Sequence, residues 1–307
     1  MEALTVKEMA AAMKLELLIT EADMTRAVTV ADVNRPGLVL TGYADYYDAK
    51  RVQLMGHTEL DFLAAQGEEI AYKRWHDLTE LGFPCLVVSA GQELPTRWLE
   101  RAAEKKLPVL RSKLATTAFL SRLSAFLEER LAPRTTVHAV LVDVSGMGIM
   151  ITGDSGIGKS ETALELIKRG HRLVADDAVE ITRSEEYTLT GRAPEVLRYV
   201  MEVRGLGILD VSRLFGISAV RERHRIHMII NLEEWQDGRY YDRLGVDEET
   251  REILGVKLPC KTVPVRPGRN IASIIEVAAM NQRLKDTGYD GAREFISRQQ
   301  ALCKKDD

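Results

Sequence analysis

One segment constrains this chain's fold more than any other. Gly153-Asp154-Ser155-Gly156-Ile157-Gly158-Lys159-Ser160 fits G-x-x-x-x-G-K-[S/T] at every position. The apolar run Ile149-Met-Ile-Thr152 precedes it, and Ala163, Leu164, Leu166 and Ile167 follow with helical spacing. Strand, glycine-rich loop and helix N-terminus, in that order, make a cradle for phosphate. Glycines let successive backbone N–H groups turn inward without a Cβ clash. Lys159 supplies a point charge at the β- and γ-phosphates, and the Ser160 hydroxyl can ligate Mg²⁺. The helix N-terminus adds about half a positive charge where the anion sits. By itself the loop predicts an α/β unit that binds a nucleoside polyphosphate or a similar anion, with residues 153–160 as its contacts.

The chain has 307 residues, more than one compact domain usually holds, and its texture changes near Pro133. Residues 1–131 read as a smaller N-terminal α/β domain, for assembly or regulation, and 132–307 as the domain carrying the loop. In the first, Thr5 and Glu8 stand at capping-box spacing ahead of a helix over 5–13. Apolar runs predict strands at 38–42 and 85–89 and helices at 60–81 and 115–131. In the second, strands are expected at 138–144, 149–152, 172–175, 179–183, 227–232 and 261–265. A turn at 145–148 separates the first two. A helix over 160–169 stops at Gly170, and the last expected helix runs from 270 to about 286 with Gly288 beyond.

Composition excludes several classes. A net charge of −4 gives no global attraction to nucleic acid or anionic membrane. Cys85, Cys260 and Cys303 are scattered, without CxxC pairs or a disulfide framework, and read as thiols in a reducing compartment. The N-terminus lacks the basic start and apolar run of a signal peptide, and no apolar stretch approaches the ~20 residues of a membrane span. A soluble, cytoplasmic protein is expected.

Three further segments carry chemistry. Leu173-Val-Ala-Asp176-Asp177 is an apolar run ending in two carboxylates. A strand-end Asp beside a phosphate loop commonly holds Mg²⁺ or its waters, and a second Asp permits proton acceptance from an attacking hydroxyl. Adjacent strand residues face opposite ways, so both serve one site only where the strand is already turning. In isolation the pair reads sooner as a solvated acidic turn than as a site. Met201-Glu202-Val-Arg-Gly205-Leu-Gly207-Ile-Leu-Asp210 offers Glu202 as a second metal ligand, against the alternative of a bent strand with exposed charges. Pro264-Val-Arg266-Pro-Gly268-Arg269 leads into the last helix, where two arginines and a glycine at a helix N-terminus make an anion seat or a capped, solvated loop.

Together with His138 shortly before the loop, these segments in this order and spacing resemble HPr kinase/phosphorylase. The resemblance implies a phosphate-loop fold akin to the phosphoenolpyruvate carboxykinase core, and no H-R-D loop of the eukaryotic kinase type occurs at His171-Arg172 or His224-Arg225. It implies ATP- or pyrophosphate-driven phosphorylation of a serine in the phosphocarrier protein HPr. The reverse reaction is attack on that phosphoserine by inorganic phosphate, releasing pyrophosphate. A homohexamer and a part in carbon catabolite repression come with it. Asp177 is then assigned as the base toward the serine and, in reverse, the acid toward the departing oxygen. Ser160 and Glu202 are the expected metal ligands, with Asp176 a third candidate. The resemblance also places His138, Lys159 and Arg243 among the catalytic residues, and Arg266 and Arg269 in a loop used chiefly for dephosphorylation. Rival readings are a GTPase-type switch, for which no N-K-x-D motif follows the loop, a phosphate-loop small-molecule kinase, and a silent nucleotide-binding regulator.

Overall fold

The computed structural model describes residues 4–185, 187–238 and 249–303, which fall into two compact units, Met1–Ala132 and Pro133–Asp307. In the first, the strands Val33–Asn34, Val52–Met55, Leu86–Val88 and Val109–Arg111 run parallel, and Glu16–Leu17 closes one edge antiparallel. Strand periodicity divides their side chains between two cores. Leu54, Val87 and Leu110 pack with Met9 and Phe119, while Met55, Leu86, Val88 and Val109 pack with Trp75 and Trp98. A sheet covered by helices on both faces requires such largely apolar strands, and the buried Gln53 among them accepts from Asn34 Nδ2 at 2.8 Å.

Two expectations in this unit are corrected. The run at 38–42 is not a strand but the helix Gly37–Thr41, entered through Pro36 and ended by Gly42 in the left-handed region. Leu40 is fully buried while Leu38 is 68 % exposed, a pattern that five apolar letters do not reveal. The single helix over 60–81 is two, His57–Ala65 and Glu68–Glu80, broken at Gly67 with φ of +82°. The opening helix Val6–Met13 does carry its capping box, with Glu8 N–H donating to Thr5 Oγ1 at 3.2 Å and Thr5 N–H to Glu8 at 2.8 Å.

The second unit is built on a six-stranded sheet in the order Arg172–Ala175, Val140–Val144, Met147–Gly153, Met228–Glu234, Val256–Val265, Thr250–Ile253. Its three long central strands are parallel, so the chain leaves all of them at one edge. The helices Lys159–Lys168 and Ile271–Asp286 cover one face through Ile149, Ile151, Leu166 and Ile275. The other face packs through Leu141, Met150 and Ile229 on Val179, Ile181 and Leu189 of a four-stranded antiparallel sheet. That sheet contains Arg134–His138 and Ala178–Glu185, so the strand expected at 138–144 is two strands in two sheets, parted at Ala139. A final helix, Gly291–Cys303, lies beyond the last one expected and opens on Asp290, whose Oδ1 accepts the Ala292 N–H at 3.0 Å. No helix among the described residues is long and apolar enough to cross a membrane.

Candidate functional site

The phosphate loop occupies the edge where the parallel strands end, the usual ligand edge of such sheets. Gly153 must be glycine: its φ is +142°, and a Cβ there would lie 2.4 Å from the Leu232 carbonyl oxygen of the neighbouring strand. Gly158, at +101°, caps the helix that starts at Lys159. The Lys159 side chain is buried and folds back over the loop, donating to the carbonyl oxygens of Gly153 at 2.9 Å and Asp154 at 3.0 Å.

The strand Arg172–Ala175 ends in a tight reversal. Asp177 has φ of +67°, and the Ala178 N–H donates to the Asp176 carbonyl at 2.8 Å, closing a three-residue turn around it. This turn removes the strand alternation that would separate the two carboxylates, and both line one pocket with Lys159 and Ser160. Their environments differ. Asp176 is 2 % exposed, accepting from Ser160 Oγ at 2.9 Å on Oδ1 and from the Glu202 N–H at 2.9 Å on Oδ2. Burial pushes its carboxyl pKa up, against the opposing pull of those hydrogen bonds. Asp177 stays exposed, and His138, its neighbour in the adjoining strand, points Nδ1 at its carbonyl oxygen (2.8 Å) and its Oδ1 (3.1 Å). Two acceptors at that nitrogen fix the ring proton on Nδ1.

Glu202 sits on the strand Val200–Val203, which pairs with Gly207–Asp210 in a hairpin fastened to Asp176 through the Glu202 N–H. Its exposed side chain completes the pocket beside Ser160. Two fixed cations, Lys159 and Arg204, face four carboxylates there, Glu161, Asp176, Asp177 and Glu202. A pocket so charged receives a polyphosphate only with additional cations. Its all-oxygen donor set of Ser160, Asp176 and Glu202 fits a hard divalent ion such as Mg²⁺.

Not every expected residue reaches this pocket. Arg266 and Arg269 occupy the loop after the strand Val256–Val265, two strands from the phosphate loop at the same sheet edge. The Arg266 guanidinium lies 4.8 Å from the Trp235 ring centroid, and Arg269 Nη1 donates to the Pro264 carbonyl at 2.9 Å. Asn270 caps the following helix, its side chain accepting the Ser273 N–H at 3.0 Å. Arg243 lies outside the described residues. Sequence reasoning missed Arg204, whose Nη2 donates to Ser155 Oγ at 3.3 Å. The only signal for it was an arginine ahead of two glycines in a segment already singled out for Glu202.

Comparison with known proteins places the chain in a family. Residues 4–127 match the family model of the HPr Serine kinase N terminus, and 129–299 that of the HPr Serine kinase C-terminal domain. The chain is 50 % identical to the HPr kinase/phosphorylase of Bacillus subtilis (strain 168) over 284 residues, 92 % of each chain. It is 47 % identical to that of Listeria monocytogenes serotype 4a (strain HCC23) over 294 residues, 96 % of this chain and 94 % of the other. The solved structure of the Hpr(Ser) kinase/phosphatase from Coxiella burnetii is 40 % identical, covers 52 % of this chain and 98 % of its own, and superposes with a TM-score of 0.48. With both domains matched and relatives half identical along nearly the whole length, this chain belongs to the HPr kinase/phosphorylase family.

Proposed function

We propose that this chain phosphorylates a serine of the phosphocarrier protein HPr and removes that phosphate by phosphorolysis, giving pyrophosphate. The observation that carries the reading is the turn at Asp177, which sets an exposed carboxylate in the same pocket as Lys159 and Ser160 of the phosphate loop. Residues 153–160 hold the donor, ATP or pyrophosphate, through inward N–H groups and the Lys159 ammonium. Ser160 and Glu202, with Asp176 beside them, would hold Mg²⁺, which neutralises phosphate charge when bound. The Asp177 carboxylate accepts the proton of the serine hydroxyl in the forward direction. In reverse, protonated Asp177 returns it to the departing serine oxygen, while inorganic phosphate brings its own nucleophilic oxygen. His138 orients that carboxylate through its contact with Oδ1.

Arg266 and Arg269 belong to the reverse reaction, as the seat of the incoming phosphate. Arg243 belongs with them as a fork-shaped cation on the transferring group. Assembly as a homohexamer and a cytoplasmic site of action accompany the same reading. The test mixes the purified protein with HPr, ATP and Mg²⁺, then adds excess inorganic phosphate. Phosphoserine should appear on HPr and then leave as pyrophosphate in equal molar amount. HPr that stays unmodified while the protein binds ATP would refute the proposal and redirect the search to small-molecule acceptors.

A further inference from the structure

The unit Met1–Ala132 has no part in the chemistry above, yet it holds a cleft of about 420 Å³, the size of a small-molecule site. The cleft lies at the break by Gly67, where His57–Ala65 and Glu68–Glu80 part, and the segment from Gln92 to Trp98 closes its third side. Small residues, Ala64, Gly67 and Ala71, leave the space open, and a Cβ on Gly67 would meet nothing within 4 Å. Its floor is Trp98, 6 % exposed and stacked on Trp75 with ring centroids 5.2 Å apart. Trp75 Nε1 donates to the Trp98 carbonyl at 3.0 Å. With Trp75 fully buried beneath it, the Trp98 indole has no room to turn away, so the apolar floor is preformed.

The charge around this floor is one-sided. Exposed Asp61, Glu68 and Glu93 line the cleft against one cation, Arg97. That cation is already engaged: its Nη1 donates to Glu69 at 2.9 Å, and its guanidinium lies 3.7 Å from the Tyr72 ring centroid. Asp61 and Glu68 have no partner among the described residues. Glu93 comes within 3.9 Å of Arg111, a guanidinium that Glu16 holds closer, at 2.8 Å. Carboxylates sharing one rim repel one another, and a cation received among them relieves that repulsion. The same field turns phosphates away, so the cleft is no second seat for the anions of the other unit.

We infer that this cleft binds a small organic ammonium ion, with its apolar body over Trp98 and its charge among Asp61, Glu68 and Glu93. The body gains by leaving water for a preformed aromatic surface. The ammonium group stays at the rim, where exposed carboxylates meet it without the desolvation cost of a buried ion pair. The binding makes and breaks no covalent bond, and it does not depend on the proposed phosphoryl transfer.

The test titrates the full chain by calorimetry at low salt with phenethylammonium chloride and, separately, with phenethyl alcohol, its neutral counterpart. The ammonium ion should bind saturably with a Kd of about 1 mM or tighter, and at least about fivefold more tightly than the alcohol. The double variant Asp61→Asn, Glu68→Gln should erase that preference and leave the alcohol's affinity within about twofold of wild type. Ala64→Leu fills the cleft from an exposed position and should abolish binding of both compounds, with a thermal midpoint within about 3 °C of wild type. Equal affinity for the two compounds would overturn the inference, because the carboxylates would then recognise nothing. Ammonium binding that survives both variants would overturn it by placing the ion elsewhere, and so would the absence of saturable binding. Capture of a lysine- and arginine-rich peptide without any of the ammonium ion would also overturn it, making the cleft a docking surface for a basic protein.

Discussion

Asp176 holds two hydrogen bonds in near-complete burial, while Asp177, one residue on, projects exposed beside His138. Sequence alone could offer the two carboxylates and the condition under which both would serve one site. It could not supply the positive φ that meets the condition, because no glycine or asparagine marks the turn. Arg204 illustrates the opposite limit, since its contact with Ser155 of the phosphate loop is invisible in a string of letters. His227 allows a residue-scale prediction. Its Nδ1 accepts the Gly148 N–H at 2.9 Å and so must carry no proton. Burial first, then the charges of Arg225 and His224, push its pKa below the ordinary 6.5. The unfolded chain therefore takes up the proton at higher pH than the native one, and stability falls as pH drops from about 6.5 toward the native pKa. His227→Gln keeps an acceptor but does not titrate, so its urea midpoint should vary less between pH 7 and pH 5 than that of wild type. Parallel profiles would show that this imidazole is not the group responsible.

Among elements, those with a strong local rule were legible. The phosphate loop, its helix and the capped opening helix follow from glycine positions, apolar spacing and a Thr-x-x-Glu box. The short apolar run at 38–42 was misread because strand and helix differ there in whether Leu38 and Leu40 share a face, which only the tertiary burial of Leu40 and exposure of Leu38 reveals. The division at Ala139 was hidden for a similar reason, since continuous apolar character says nothing about which sheet each half joins. The loop 264–270 was read as an anion seat, and it ends at the sheet edge that carries the phosphate loop. Neighbouring strands are about 4.8 Å apart, so two such spacings separate the loops by about 10 Å. At that range a phosphate held by Arg269 can approach a group bound at residues 153–160 without competing for its seat. Arg269→Ala should therefore slow phosphorolysis at least about tenfold more than phosphorylation, measured as kcat/KM for inorganic phosphate against that for ATP. Equal losses would count against a seat reserved for the incoming phosphate.

Across the whole molecule, the two units divide the labour of the sequence. Every described candidate residue, from His138 to Arg269, belongs to Pro133–Asp307, while Met1–Ala132 supplies a parallel sheet with apolar cores on both faces. What positions the chemistry is the edge of the six-stranded sheet. Three parallel strands deliver the phosphate loop, residues after Glu234, and the arginine loop to one side, and Arg172–Ala175, antiparallel to Val140–Val144 and so running the same way as those three, ends at that side in the reversal at Asp177. In the proposed reaction this reversal lets one carboxylate serve both directions of phosphoryl transfer. That shared role is tested most directly by assaying Asp177→Asn for HPr phosphorylation by ATP and for phosphorolysis of seryl-phosphorylated HPr, with ATP binding measured on the same preparation. Both activities should fall together, by about 10²-fold or more, while nucleotide affinity survives. A variant that loses one activity and keeps the other would contradict it.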